Sequence, residues 1–244
     1  FQAVAELLSN CIADISPKLQ MDALPVCLST CKDSSVPRVQ CDALFPIRIT
    51  FDKLLAEYEP EDPERQHTPL LQDIAALIST IGQAAIDSEY YFFKRDSLQT
   101  MSAIISVGAE HMVPFVDELV PLFHTFLTNT GPTSPNKDST QHLPFTLNYA
   151  IECTTILASV VGYEPFKPFA AGVADFIATE LQKDFATWAD TRLKFLLRGW
   201  TCMVDCMGDH AVRYLEAVMP KLLQLASLNC DLERLEEFKT GEEL

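Results

Sequence analysis

A unit of two amphipathic helices recurs along this 244-residue chain. In each copy an apolar first helix ends at a glycine, a short turn follows, and a second helix carries an apolar seam. The glycines are Gly108, Gly162 and Gly208. Glycine readily takes the left-handed conformation that closes a helix, so each of the three is predicted to adopt it. In the last copy, the residues predicted to share the seam are Leu215, Val218, Met219, Leu222 and Leu223.

The spacing of these units indicates how they assemble. The glycines are 54 residues apart from 108 to 162 and 46 apart from 162 to 208. The longer interval contains Asn129–His142, where Gly-Pro and Ser-Pro steps predict a loop because proline lacks the amide hydrogen that a helix needs. Without this loop, both intervals approach the period of roughly 40–47 residues that is typical of HEAT and armadillo repeats. The sequence therefore predicts an all-α fold, a HEAT-repeat α-solenoid in which stacked helix pairs form a superhelix.

The same helical character continues along the whole chain. Residues 1–244 are predicted to be a single stretch of about five or six repeats, and because the chain opens with Phe1 we expect a fragment of a longer solenoid. A closed helical bundle is the competing fold, but it would need long crossover loops. The apolar spacing predicts helices near 1–15, 18–32, 37–58, 69–87, 89–108, 110–128, 144–162, 164–183, 186–207 and 209–228, with a last one beginning near 230.

Acidic residues greatly outnumber basic ones. The chain has 34 Asp+Glu and 18 Lys+Arg, a formal net charge of −16 at pH 7. An acidic surface repels nucleic acids and anionic membranes and attracts basic proteins. No apolar run reaches the roughly 18 residues that a membrane span needs. We therefore expect basic protein partners and no direct binding of nucleic acid or membrane, although the acidity could also serve only solubility.

Sequence motifs for catalysis are absent. The chain has no Gly-rich phosphate loop, no Gly-x-Ser-x-Gly elbow and no His-Glu-x-x-His helix. Asp205 and His210 could pair, but no nucleophile accompanies them. The protein is therefore predicted not to be an enzyme and to need no cofactor.

The cysteines are interpreted as buried, reduced thiols, which behave as small apolar residues and fit the cytosol or nucleus. Cys202, Cys206 and His210 are four residues apart, as metal ligands on one helical face would be, but Gly208 is predicted to end that helix. Cys27, Cys31 and Cys41 lack a second cysteine pair at zinc spacing. We expect no bound metal. The eight cysteines are Cys11, Cys27, Cys31, Cys41, Cys153, Cys202, Cys206 and Cys230.

Three stretches carry a resemblance to a known family. The first is Ser102–Val120, which contains Val113-Pro114-Phe115-Val116-Asp117. The second is Ala150-Ile151-Glu152-Cys153-Thr154 with Val161-Gly162, and the third is Trp200–Met203 followed by Gly208, Tyr214-Leu215, Val218-Met219-Pro220 and Leu222–Ser227. In order and spacing these stretches resemble importin-β-type nuclear transport receptors (karyopherins), in particular the importin five branch. The likeness covers residues 98–236.

The resemblance implies a nuclear import receptor that shuttles between cytoplasm and nucleus. In this family, basic cargo such as ribosomal proteins or histones binds the concave face formed by second helices. Nucleoporin Phe-Gly repeats dock on the convex face between neighbouring first helices. The GTPase Ran binds mainly the early repeats, so its site is expected to lie outside this fragment. The alternative is a HEAT-repeat scaffold or regulatory subunit, of the phosphatase-scaffold or chromosome-organising type.

Carboxylates on the second helices are the candidate cargo contacts. Asp117 and Glu118 are predicted on the polar face of one second helix, and Asp175 and Glu180 on the next. On successive rungs of a concave face their potentials would add and attract Lys/Arg-rich cargo. The alternative is an ordinary solvated face.

Two further features have competing interpretations. Trp188 and Trp200 are assigned to the core rather than to cargo clamps. The run Glu57–Glu64 has five acids and two prolines in eight positions. It is interpreted as a solvated loop, with recruitment of basic partners as the alternative.

Elemental analysis of the purified full chain checks the metal prediction. Because neither cysteine set has complete zinc spacing, we expect far less than one zinc per chain. A stoichiometric zinc content that survives dialysis would contradict the interpretation of these cysteines as core residues.

Overall fold

The computed structural model describes residues 26–27, 29–31, 36–56, 78–79, 81–88, 90–128, 139–183, 185 and 191–226. Within these ranges nearly every residue is helical and none lies in a strand. The all-α prediction is therefore confirmed for this part of the chain. The helices predicted near 1–15 and from 230 onward, and the acidic run Glu57–Glu64, lie outside the described residues.

Six α-helices have defined bounds: α1 Pro37–Ala56, α2 Tyr91–Gly108, α3 Val116–Thr128, α4 Ser139–Val161, α5 Tyr163–Leu181 and α6 Thr191–Met207. Two 3₁₀ segments, Ala109–Phe115 and Gly208–Tyr214, follow α2 and α6. Residues 26–27, 29–31, 78–79, 81–87 and 215–226 are also helical. Each helix predicted near 110–128 and 209–228 therefore consists of a 3₁₀ segment and an α-helix.

The first helices of the predicted pairs form a row. α1 packs on α2, α2 on α4, and α4 on α6. Of the second helices, α3 contacts α4 and α5, and α5 contacts α4 and α6. Among these described elements, no extensive contact joins α1 to α4 or α6, or α2 to α6. Each helix is therefore buried by elements that are its neighbours in the row.

Apolar side chains fill the space between these helices as one continuous cluster. Four phenylalanines are among its largest fully buried members, one from each of α1, α2, α3 and α5: Phe51, Phe93, Phe123 and Phe166. Burying a side chain of this size contributes about 1.5–3 kcal/mol relative to leaving it in water. The apolar faces read from the helical period are thus the ones that hold the row together.

A chain of polar contacts also crosses the row. Arg48 of α1 donates from Nη1 to Gln99 Oε1 of α2 at 2.5 Å. Gln99 Nε2 in turn donates to the Tyr149 hydroxyl of α4 at 2.5 Å. The Tyr149 ring meets the Phe195 ring of α6 edge-on, with centroids 5.2 Å apart. One residue from each first helix takes part, and the steps between residues 48, 99, 149 and 195 are close to one repeat.

Two of the three predicted glycine conformations are confirmed. Gly162 has φ 78° and Gly208 has φ 52°, both in the region that favours glycine. Gly108 is instead right-handed, with φ −64° and ψ −28°. The prediction for Gly108 is wrong: Gly108, the last residue of α2, keeps the right-handed helical conformation up to the 3₁₀ segment that follows. A β-carbon at Gly108 would lie 2.9 Å from Met112 Cε, the end of a flexible side chain that would have to shift to make room for it.

The connections also differ from the predicted short turns. Gly162 alone separates α4 from α5, whereas seven-residue 3₁₀ segments follow α2 and α6. The loop predicted over Asn129–His142 ends earlier than expected, because α4 begins at Ser139. The remainder of that loop, 129–138, lies outside the described residues.

The apolar seam predicted for the last second helix divides into a buried and an exposed side. Val218 is buried and Leu222 is half-buried. Leu215, Met219 and Leu223 are exposed, so the prediction of one buried face is wrong for these three. The segment 215–226 is the last helix described, and no further described pair lies beyond it.

Replacing Gly162 by Ala should destabilise the protein by about 1–3 kcal/mol, because the positive φ strains any residue with a β-carbon. Nothing lies within 4 Å of the added methyl group, so the loss would report backbone strain alone. Gly172→Ala is the matched control, since Gly172 lies inside α5 with equally open space and no positive φ. Gly172→Ala should raise the free energy of unfolding by about 0.5–1 kcal/mol. Urea unfolding followed by circular dichroism measures both, and equal shifts of the two midpoints would contradict this account.

Candidate protein-binding surface

Asp117 and Glu118 lie at the start of α3 and both are exposed. The partial positive charge of a helix amino terminus stabilises carboxylates in the first turn, so the two acids also serve α3 itself. Glu118 Oε1 accepts a hydrogen bond from the Ser79 hydroxyl at 2.5 Å. This bond connects α3 to the helical segment at residues 78–79. Asp117 is thus the more available of the two carboxylates.

Asp175 is exposed on α5, which contacts α3. The structure therefore places Asp117, Glu118 and Asp175 on two second helices that touch, as the sequence predicts. Their role in binding cargo stays a prediction.

Glu180 does not belong to an exposed acidic face. It is 8% exposed, and its carboxylate forms ion pairs with Lys183 and, at 3.8 Å, with Arg192 Nη1. The placement of Glu180 on a solvated polar face is wrong. The helical period places it opposite the seam of α5, but α6 starts just beyond the end of α5 and brings Arg192 over it.

Cations gather at this end of α5. Arg192 and Lys221 both lie over the Phe185 ring, at 5.1 and 5.8 Å from its centroid. Gln182 Nε2 donates to the Ala217 carbonyl at 2.6 Å and connects α5 to the segment 215–226. Lys183 and Arg192 therefore offset the charge of Glu180 at this end of α5. The exposed candidate carboxylates that remain are Asp117 and Glu118 at the start of α3 and Asp175 on α5.

A cavity of about 370 Å³ opens between α1 and α2, two neighbouring first helices. Arg48 lies 5.2 Å from the Phe45 ring centroid, and Arg95 lies 5.1 Å from that of Phe92. Phe45 is 37% and Phe92 43% exposed. The residues that line the cavity are Cys41, Leu44, Phe45, Arg48, Arg95, Asp96, Gln99 and Thr100.

Sequence reasoning did not single out this cavity, although a signal for it exists. Phe45 and Arg48, and Phe92 and Arg95, are two Phe-x-x-Arg pairs 47 residues apart. This interval is close to the repeat period predicted from the sequence, and the two pairs lie on adjacent first helices. Residues three apart on a helix are neighbours, which explains why each guanidinium meets its own ring.

Burial and nearby negative charges keep the Cys41 thiol of the cavity protonated. Arg95 pairs with Asp96 at 2.6 Å. Burial, followed by the negative charges of Asp96 and Asp42, raises the pKa of the Cys41 thiol to about 12. Cys41 is therefore protonated at neutral pH and is a poor nucleophile.

The other cysteines agree with the prediction of buried thiols. The six described cysteines are all free; Cys27, Cys31, Cys153 and Cys206 are buried, and Cys41 and Cys202 are half-buried. Cys11 and Cys230 lie outside the described residues. Within the described part of the chain, no three His, Cys, Asp or Glu side chains are arranged to hold a metal ion.

His210 and the tryptophans have structural surroundings. The His210 ring stacks on the Tyr163 ring with centroids 4.4 Å apart and planes 17° apart. The structure thus shows His210 against an aromatic ring, four residues beyond Cys206 but in the 3₁₀ segment after α6. Trp200 is 6% exposed and meets Tyr214 edge-on, which confirms its assignment to the core. Trp188 lies outside the described residues.

No protein-family model matches this chain, and no curated protein matches it in sequence. In the described ranges, the helices are too short or too polar to cross a membrane. The likeness to importin-β-type receptors accordingly rests on the residue pattern alone.

One ion pair between first helices carries an electrostatic cost. Arg198 Nη1 of α6 lies 2.7 Å from Glu152 Oε1 of α4, whose side chain is 13% exposed. Burial raises the pKa of Glu152, and the opposing effects of Arg198 and Lys194 do not cancel this rise. A raised folded-state pKa means that the protein loses stability as pH rises from the ordinary value of 4.5 through the folded-state value.

Glu152→Gln should therefore leave the free energy of unfolding unchanged or raise it at pH 7. This difference from the parent should vanish well below the ordinary pKa of 4.5, where Glu152 is protonated in both the folded and the unfolded state. Arg198→Met removes the positively charged partner of the Glu152 carboxylate, so it should lower the free energy of unfolding at pH 7. Thermal unfolding at several pH values measures both variants. A Glu152→Gln variant that is clearly less stable than the parent at pH 7 would contradict the sign of this argument.

Proposed function

We propose that this chain is part of a HEAT-repeat α-solenoid that works as a nuclear import receptor for basic protein cargo. The observation that carries the proposal is the packing order within the described residues: α1, α2, α4 and α6 contact one another in sequence, and the second helices α3 and α5 make their extensive contacts within their own pair or with the next one. Stacking of this kind gives an extended surface suited to an elongated partner. The net charge of −16 selects for a partner of positive charge.

The basic cargo is assigned to the second helices. Asp117 and Glu118 on α3 and Asp175 on α5 are exposed on touching helices, so one basic segment can meet all of them. Each exposed ion pair contributes only about 0–1 kcal/mol, so useful affinity requires several contacts together. Ribosomal-protein and histone-like tails, which present many Lys and Arg in series, have the required chemistry.

The first helices are assigned to nucleoporins. In the proposed receptor, Phe-Gly repeats dock between neighbouring first helices, and the cavity between α1 and α2 is lined by one exposed aromatic residue, Phe45, that suits such a contact. Ran is placed on repeats outside this fragment, and the receptor is proposed to shuttle between cytoplasm and nucleus.

A pull-down of the full-length protein, with and without Ran loaded with a GTP analogue, tests the receptor role. Cargo that is bound without Ran and released by the GTP form supports import. Binding that is insensitive to Ran would instead indicate a scaffold, and the receptor proposal would be abandoned.

Charge reversal tests where cargo binds. Asp117→Lys with Asp175→Lys should weaken binding of a Lys/Arg-rich histone-tail peptide about tenfold at low salt, because two attractive contacts become repulsive. The control, Asp42→Lys with Asp205→Lys, makes the same change in net charge on first helices and should have little effect. Fluorescence titration at low and physiological salt measures both, and the difference should shrink as salt screens exposed charges. Equal affinities of the two variants would remove the second helices as the cargo surface.

A further inference from the structure

The cavity between α1 and α2 contains an arginine that has no acidic partner among the described residues. Three described arginines are half-buried: Arg48, Arg95 and Arg192. Arg95 pairs with Asp96, and Arg192 pairs with Glu180. Within the described part of the chain, no carboxylate lies within ion-pair distance of Arg48. A partly buried positive charge is costly unless an anion neutralises it, so Arg48 gives the cavity a reason to bind an anion.

The contacts of Arg48 hold its guanidinium in one position and leave donors unused. Arg48 Nη1 donates to Gln99 Oε1 at 2.5 Å, and the Phe45 ring centroid lies 5.2 Å from Arg48 Cζ. Gln99 Nε2 donates to the Tyr149 hydroxyl at 2.5 Å, which directs the amide oxygen of Gln99 towards Arg48. A guanidinium has five N–H donors in a planar fork, and the described residues accept from one of them. The others can meet the two oxygens of one carboxylate side by side.

The charges that line the cavity favour an anion with a single negative charge. Arg48 and Arg95 contribute two positive charges and Asp96 one negative charge, so the lining has a net charge of +1. One carboxylate would neutralise this charge. A phosphate group, with close to two negative charges, would leave an excess of negative charge beside Asp96. The lining is therefore matched to a monoanion.

The size and the apolar residues of the cavity define the rest of the ligand. Leu44 is fully buried and Phe45 is partly exposed, and both line the same cavity as Arg48. The volume of about 370 Å³ is near the lower end of the range of about 300–1,000 Å³ that is usual for ligand pockets. A small acid with an apolar body fits this description better than a large cofactor.

We propose that the cavity binds a carboxylate attached to an apolar group. Arg48 binds the carboxylate, Gln99 positions the Arg48 guanidinium, and Phe45 contacts the apolar group. The carboxylate comes either from an acidic side chain beside an apolar residue of a partner peptide, or from a free small carboxylic acid. Because the ligand is acidic, this site is separate from the carboxylates assigned to basic cargo, and it does not depend on the receptor role.

Ligand-detected NMR titration of the full chain tests this site, with sodium phenylacetate as the probe. Phenylacetate should show saturable binding. Phenylacetamide has nearly the same shape without the charge, and it should bind about tenfold more weakly because it loses the charged hydrogen bonds to Arg48. Inorganic phosphate at about pH 8, where it is mainly a dianion, should not displace phenylacetate at equal concentration.

Two short peptides distinguish the sources of the carboxylate. Acetyl-Phe-Glu-amide should bind more tightly than acetyl-Phe-Gln-amide, for the same reason that phenylacetate should bind more tightly than phenylacetamide. An acidic peptide that binds more tightly than phenylacetate identifies an acidic side chain as the source. An acidic peptide that binds more weakly than phenylacetate identifies a free acid.

Three variants locate the binding. Arg48→Met should weaken phenylacetate binding about tenfold, because the charged donors are removed. The matched control is Arg38→Met, which makes the same change in net charge at an exposed position of α1 and should have little effect. Gln99→Glu places a carboxylate beside Arg48, so it should abolish phenylacetate binding while raising the melting temperature. A misfolded variant would instead lose both binding and thermal stability, and circular dichroism measures the latter.

Several results would overturn the proposal. One is equal binding of phenylacetate and phenylacetamide, and another is equal affinity of the two arginine variants. A Gln99→Glu variant that binds phenylacetate as the parent does would show that Arg48 is not the anion-binding group. Displacement of phenylacetate by an equal concentration of phosphate would show a phosphate site and contradict the charge argument. Undetectable binding of both phenylacetate and the acidic peptide would show that the cavity binds no carboxylate.

Discussion

Burial of each helix by its neighbours in the row is the constraint on which the rest of this structure depends. An amphipathic helix has one apolar side, and a pair of them still leaves apolar surface that only another pair can cover. The contacts between α1 and α2, α2 and α4, and α4 and α6 are the result. Because elements distant in the row do not make extensive contact within the described residues, a change at one pair is expected to be felt mainly by the adjacent pairs.

The first and the second helices carry different kinds of polar side chain. The first helices hold the row together through buried side chains and through the polar chain from Arg48 to Gln99 and Tyr149. The partly buried polar groups of these three side chains form hydrogen bonds with one another, which avoids the cost of about 1–3 kcal/mol for an unpaired buried group. The second helices carry exposed carboxylates at the start of α3 and on α5. The polar contacts between helices and these exposed carboxylates therefore lie on different helices.

For electrostatic attraction at the surface, the distribution of charge matters more than the net charge. The chain as a whole is strongly acidic, yet the buried Glu180 is paired with Lys183 and Arg192, and cations cluster around Phe185. Asp117 and Asp175, in contrast, are exposed and lie away from the junction of α5 and α6. Exposed carboxylates are screened within about 8 Å at physiological ionic strength, so such attraction acts at short range.

The sequence by itself determined the helical class, most helix positions, the positive φ of Gly162 and Gly208, and the burial of Trp200 and most described cysteines. These follow from apolar periodicity and from the conformational preference of glycine, both of which are local properties. Only the tertiary structure decided which carboxylates stay in water, because the burial of Glu180 depends on Arg192 of the next helix. Likewise, Gly108 is right-handed, and Leu215, Met219 and Leu223 are exposed although their spacing predicts a shared apolar seam. A helix of given pattern can be buried or exposed according to what packs on it, and that is a property of its neighbours rather than of its own residues.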